Sequence, residues 1–133
     1  MINKEIIRIA SNTTNVGLKN KYSHKISIKN SFCGDKITLE LVANDKKISS
    51  MKYETESCIY CEASASLLSK KIKTLNIHTL KRDFISLKKS SKKKDMKIPR
   101  KFASFNKLFN SDNFSRYKCI FLPFDAVIKA LKL

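Results

Sequence analysis

The chain has 133 residues, with 28 Lys and Arg against 11 Asp and Glu, for a formal net charge of +17 at pH 7. That length suits one domain, residues 1–133, able to bury roughly two-thirds of its unfolded surface and to hold a core without disulfide staples. No apolar run approaches the ~18 residues of a membrane span, and Met1-Ile2-Asn3-Lys4-Glu5 breaks its apolar residues with charge too often for a secretory signal. The expectation is a cytoplasmic protein with its four cysteines reduced.

In chain order, residues 3–10 read as a short helix with Ile6, Ile7 and Ile9 on its apolar side, and Asn12 to Asn20 as a loop. His24 to Asn30 alternates and reads as a strand. Lys36 to Val42 alternates again, with Ile37, Leu39 and Leu41 inward. After the turn at Asn44-Asp45-Lys46, Lys47 to Glu54 forms a third strand with Met51 and Tyr53 on one face. Three strands with short connections predict an antiparallel meander.

The period then changes. Ala63, Leu67, Leu68, Ile72 and Leu75 recur at helical spacing over Ile59 to Leu75, and Leu80, Phe84, Ile85 and Leu87 over Thr79 to Lys89. Ser90 to Arg100 reads as a charged surface loop, Phe102 to Phe109 as a short helix and Phe114 to Cys119 as a connector. Ile120 to Leu133 closes the chain as a helix that tolerates Pro123 only in its first turn. A sheet followed by segregated helices predicts an α+β fold: a small three-stranded antiparallel sheet covered by helices.

Between the first two strands lies Asn30-Ser31-Phe32-Cys33-Gly34-Asp35. In extended chain, positions i and i+2 point to one side, and Gly34 lets the backbone curl so that Cys33 and Asp35 face one point. A thiolate and a carboxylate facing one point are half of a tetrahedral metal site. Cys58 and Cys119, each at or just before a predicted helix, are placed to supply the other half. Helix N-termini favour anions, so both thiols are expected to lose their protons readily. Cys61, one turn beyond Cys58, reads as a small buried hydrophobe. His24 and His78 have no carboxylate or cysteine at motif spacing and read as surface residues; Tyr60 and the phenylalanines read as core. An inert structural zinc site would use the same residue types.

Thirteen Lys and Arg fall between Lys70 and Lys101, against Asp83 and Asp95 alone. Such a run can offer a surface to an acidic partner or to nucleic acid, which makes a zinc-stabilised basic nucleic-acid-binding module one reading of the chain. The run lacks the interleaved aromatics of a single-strand groove, and solvated helix faces are the plainer reading.

Asn30-Ser31-Phe32-Cys33-Gly34-Asp35, Ser57-Cys58 followed by Ala63-Ser64-Ala65-Ser66, and Arg116-Tyr117-Lys118-Cys119 occur in this order. Together they resemble the SufU/IscU/NifU-N family of iron–sulfur cluster assembly proteins. That family's pattern is Cys-Gly-Asp, then a Cys five residues ahead of Ala-Ser-Ala-Ser, then a third Cys before the last helix. The likeness runs from Ile6 to Leu131. Lys118 stands where scaffold-type IscU proteins carry His, and the spacing from Cys58 to Cys119 leaves room for an extra segment; both features resemble the zinc-binding SufU branch. Ser31 and Ser57 replace a Pro and a Gly of the pattern, and neither change removes a ligand.

The resemblance implies one Zn²⁺ on Cys33, Asp35, Cys58 and Cys119, with iron or a [2Fe–2S] cluster on the same ligands as the alternative. It implies a zinc-dependent sulfurtransferase in which Cys33 accepts persulfide sulfur from a SufS-type cysteine desulfurase for the downstream iron–sulfur assembly machinery. A scaffold assembling [2Fe–2S] is the alternative. It also implies a supporting role for Arg116, paired with Asp35 or with the site's negative charge. The residue types suit this chemistry. Three thiolates and a carboxylate satisfy tetrahedral zinc, and the thiolate is the form that attacks a persulfide.

Overall fold

The computed structural model describes residues 4–31, 34–92, 97–109 and 111–133. Helix α1 (Lys4–Ala10) leads into a loop and then strands β1 (His24–Lys29), β2 (Lys36–Ala43) and β3 (Ile48–Glu56). Helices α2 (Ile59–Lys71), α3 (Ile77–Ser91) and α4 (Tyr117–Ala130) follow, with short 3-10 turns at Ile72–Thr74, Arg100–Phe105 and Ser111–Arg116. The strands form an antiparallel meander in the order β1-β2-β3. The expected α+β architecture is therefore the observed one.

Alternation decides which face of the sheet is covered. Ile37, Leu39 and Leu41 of β2 are fully buried, and Leu39 and Leu41 pair across the ladder with Tyr53 and Met51 of β3. Helices α2 and α4 pack on this face. Glu40 points the other way and is buried as well, because its carboxylate accepts the backbone N–H groups of Lys19 and Asn20 and so ties down the loop before β1.

Helix α2 is buried on nearly every side, and its small residues make this possible. Ala63, Ser64, Ala65 and Ser66 leave room for α1 and α4 to approach. The Ser64 hydroxyl donates to the Ile120 carbonyl at 2.5 Å, which fixes α2 against the first turn of α4. Behind α4, Phe84, Phe102, Phe105 and Phe124 pack edge to face and tilted, with centroids 4.9–6.2 Å apart; aromatic pairs of this geometry add roughly 0.5–1.5 kcal/mol each beyond their burial.

The structure departs from the sequence expectations in several places. Helix α4 begins at Tyr117 rather than Ile120, so Pro123 lies in its second turn and withholds an N–H from the Cys119 carbonyl four residues back. The earlier start buries Tyr117 along with Ile120, Phe121 and Phe124. A 3-10 turn over Arg100–Phe105 stands where a short helix over 102–109 is expected, and α3 runs on to Ser91, into the expected loop. Phe114 is 52% exposed rather than core. Ile7 and Ile85 also face solvent, while Ile6 and Ile9 carry the buried side of α1.

Candidate metal centre

Strand register builds the site. Lys36 pairs with Glu56 at the end of the β2–β3 ladder. The residue before Lys36 is Asp35, and two residues after Glu56 comes Cys58, so the ladder carries both to one end of the sheet. Across the β1–β2 turn, the Asn30 N–H donates to the Asp35 carbonyl and the Gly34 N–H donates to the Asn30 carbonyl, each at 2.7 Å. Gly34 has φ +76°, a left-handed conformation that other residues adopt only with strain.

Asp35 is 5% exposed. Its Oδ1 accepts the backbone N–H of Cys58 at 3.1 Å, and its Oδ2 lies 3.4 Å from the Cys58 Sγ. Cys58 is the N-cap of α2 in extended conformation, so Asp35 does from across the sheet what a capping side chain does from within the helix. Cys119 is buried in the first turn of α4. Ligand atoms of Asp35, Cys58 and Cys119 all lie within 4.8 Å of one another. Cys33, the fourth expected ligand, lies outside the described residues, as does Phe32.

The three donors fit a zinc ion. Tetrahedral Zn–S and Zn–O bonds of about 2.3 and 2.0 Å place a sulfur and an oxygen on one ion roughly 3.5 Å apart. The Cys58 Sγ–Asp35 Oδ2 distance of 3.4 Å is already that edge. Cysteine-rich donor sets also hold iron–sulfur clusters, so the three donors suit zinc and an iron–sulfur cluster alike.

Burial pushes the Cys58 thiol up from its ordinary value of 9.0, and the Asp35 carboxylate beside it pushes the same way. The amides of Cys61 and Tyr60 pull it down, as the helix terminus predicts, but burial outweighs them. The expected easy loss of the proton therefore does not hold for Cys58 in the protein alone.

Arg116 is exposed at the N-cap of α4, and its guanidinium lies over the Tyr60 ring, 5.9 Å from the centroid. Tyr60 is buried as expected, but its role as the seat of this cation is not readable locally, because the two residues are far apart in sequence. Cys61 is fully buried, in keeping with a small core residue. His78 is exposed and His24 half-buried at the start of β1. Lys118, next to the candidate ligand Cys119, is exposed, and an ammonium has no lone pair to offer a metal. The exposed sides of α3 include Lys81, Arg82 and Lys89. Among the described residues no helix is long and apolar enough to cross a membrane.

A family profile described as NifU-like N-terminal domain matches residues 1–103. The matched stretch contains Cys33, Asp35 and Cys58 and stops short of Cys119, whose place in the site rests on the geometry above. The fold is similar to a crystal structure of the N-terminal part of a NifU-like protein from Brucella abortus, at 21% identity and a TM-score of 0.82, covering 98% of this chain and 91% of that one. It is also similar to a protein from Fervidobacterium islandicum AW-1 described as a scaffold for iron–sulfur cluster assembly in the SUF system, at 19% identity and a TM-score of 0.80, covering 98% and 96%. No curated protein matches the sequence.

Proposed function

The chain belongs to the NifU-like N-terminal domain family, and from that membership we propose that it serves iron–sulfur cluster assembly as a zinc-dependent sulfur acceptor. The observation that carries the reading is the convergence of Asp35, Cys58 and Cys119 within 4.8 Å, beside a loop that carries Cys33 in sequence. The description of the Fervidobacterium relative as a SUF-system protein supports the setting, and a SufS-type cysteine desulfurase is the sulfur donor this setting calls for.

Cys33, Asp35, Cys58 and Cys119 would hold the ion. Zinc, when bound, keeps its cysteine ligands as thiolates at neutral pH. The chain's own residues do the rest. Asp35 spaces the site by holding the Cys58 N–H and facing the Cys58 sulfur. As the hard oxygen donor among sulfurs, it is the ligand that exchanges most readily. Cys33 acts as the acceptor: its thiolate attacks the outer sulfur of the desulfurase's cysteine persulfide. A new S–S bond forms on Cys33, the old one breaks, and the desulfurase cysteine leaves as thiolate. Arg116, fixed over Tyr60, adds positive charge at the start of the helix that carries Cys119.

The description of the Fervidobacterium relative as a scaffold also favours a second reading, in which the same ligands carry a [2Fe–2S] cluster. Metal and acid-labile sulfide content after anaerobic purification separates the two. Zinc without sulfide supports the sulfur acceptor; iron and sulfide in equal amounts support the scaffold.

A further inference from the structure

A groove of about 570 Å³ runs between α4, the end of α3 and the end of β1. Its floor is apolar: Phe121 and Leu122 lie at the base, with half-buried Ile28 and Ile128 beside them. Its walls carry Lys29, Lys88, Lys92, Lys118 and Lys129, with Asp125 as the one carboxylate in the lining. Lys88 is already engaged, paired with Asp125 at 2.6 Å and lying over Phe121. Among the described residues no ion pair joins Lys29, Lys92 or Lys129 to a carboxylate.

The spread of these cations selects the occupant. Lys118 and Lys129 stand eleven residues apart on one helix, roughly 16 Å along its axis at 1.5 Å per residue. They do not converge on one point, so a lone phosphate or carboxylate fits poorly. A nucleic acid would gain little from Ile28 and Ile128, and Tyr117 is already stacked on Phe114 with centroids 4.9 Å apart. A peptide segment with an apolar face and acidic flanks matches both floor and walls. One end of the groove is lined by Asn30, Ser31 and Lys118. These are neighbours in sequence of Cys33 and Cys119.

We propose that this groove is the docking site for an acidic, amphipathic segment of the sulfur-donating desulfurase. The identity of the partner rests on the sulfur-acceptor reading; the chemistry of the occupant rests on the groove. The test is calorimetric titration with the cysteine desulfurase of the same organism, at low and high salt. It compares wild type, the groove variant Lys92→Glu/Lys129→Glu and the control Lys46→Glu/Lys73→Glu, whose two exposed lysines lie away from the groove. Zinc content and melting temperature, matched across the three, establish that both variants fold.

The groove variant should bind about tenfold more weakly or worse, with a flatter salt dependence, while the control stays near wild type. Equal affinity for the two variants overturns the groove assignment and leaves the sulfur-acceptor reading standing. Unchanged desulfurase affinity together with lost binding of a labelled oligonucleotide overturns it in favour of a nucleic-acid surface. Absence of any binding by the wild type defeats the sulfur-acceptor reading, and the proposed partner with it.

Discussion

Lys36 and Glu56 stand opposite one another in the β2–β3 ladder, and this pairing is what brings Asp35 to Cys58. A slip of one residue would turn Leu39, Leu41, Met51 and Tyr53 away from the core. The hydrophobic alternation of two strands therefore holds a carboxylate and a thiol 3.4 Å apart, a spacing one metal ion can bridge. The third donor depends on helix packing, through the Ser64–Ile120 hydrogen bond beside Cys119.

Removing either cysteine of the described donor set should remove the metal. Cys58→Ser and Cys119→Ser are expected to lose zinc and to melt at lower temperature than wild type, because metal bound to the native state contributes to folding. Metal analysis with thermal unfolding checks this, and full zinc retention in either variant would count against the ligand set.

Asp35→Ala should affect metal exchange more than fold. It leaves the Cys58 N–H without its acceptor, at a cost of about 1–3 kcal/mol, which a core of this extent tolerates. Zinc transfer to a chelator should become faster, since water replaces the lost oxygen ligand. Asp35→Asn, which keeps an oxygen facing the Cys58 N–H, should recover most of the stability and little of the slow exchange. An unfolded Asp35→Ala protein would contradict this division.

The packing of α2 against α4 gives a third expectation. Ser64→Ala removes a buried hydrogen bond and should cost about 1 kcal/mol. Ser64→Leu overpacks a contact built from small residues and should cost about 1–3 kcal/mol. Because the same contact positions Cys119, Ser64→Leu should also weaken zinc binding, measured by chelator competition. A destabilised Ser64→Leu protein with wild-type zinc affinity would uncouple the helix contact from the site.

Cys58 sets the pH behaviour. Its thiol pKa is raised by burial and then by Asp35, so the neutral form is favoured in the folded, metal-free protein. The stability from this group is fully present below its ordinary value of 9.0 and is lost as pH rises through the raised native value. Metal-free wild type should therefore weaken in alkali more steeply than metal-free Cys58→Ser. Zinc binding, which requires the thiolate, should release protons and tighten as pH rises. Unfolding curves at several pH values and zinc titrations in two buffers of different ionisation enthalpy read both effects.

Much of the fold and part of the site are legible in the sequence, for physical reasons. Ile37, Leu39 and Leu41 alternate because one face of β2 packs against the helices, and the period of two shows it even though a loop buries Glu40 on the other face. Leu80, Phe84 and Leu87 recur at helical spacing because α3 buries one stripe. The bend before β2 is readable because Gly34 sits in a left-handed backbone. The short 3-10 turn at Arg100–Phe105 leaves too few residues for a period to emerge. The seat of Arg116 on Tyr60 is a contact between distant segments with no local mark. The direction of the Cys58 shift escapes the sequence because position at a helix terminus can be read there, whereas burial is set by the whole fold. The start of α4 escapes it because Pro123 suggests a boundary that aromatic packing overrides.

Persulfide mapping by mass spectrometry shows most directly where sulfur arrives. The protein is incubated with a SufS-type desulfurase and cysteine, alkylated and digested, with Cys33→Ser and Cys61→Ser in parallel and alanine release recorded. The expected result is a persulfide on Cys33, loss of desulfurase stimulation in Cys33→Ser, and normal transfer in Cys61→Ser, whose thiol is fully buried in α2. A persulfide on Cys61 and none on Cys33, or equal activity in the two variants, would contradict it.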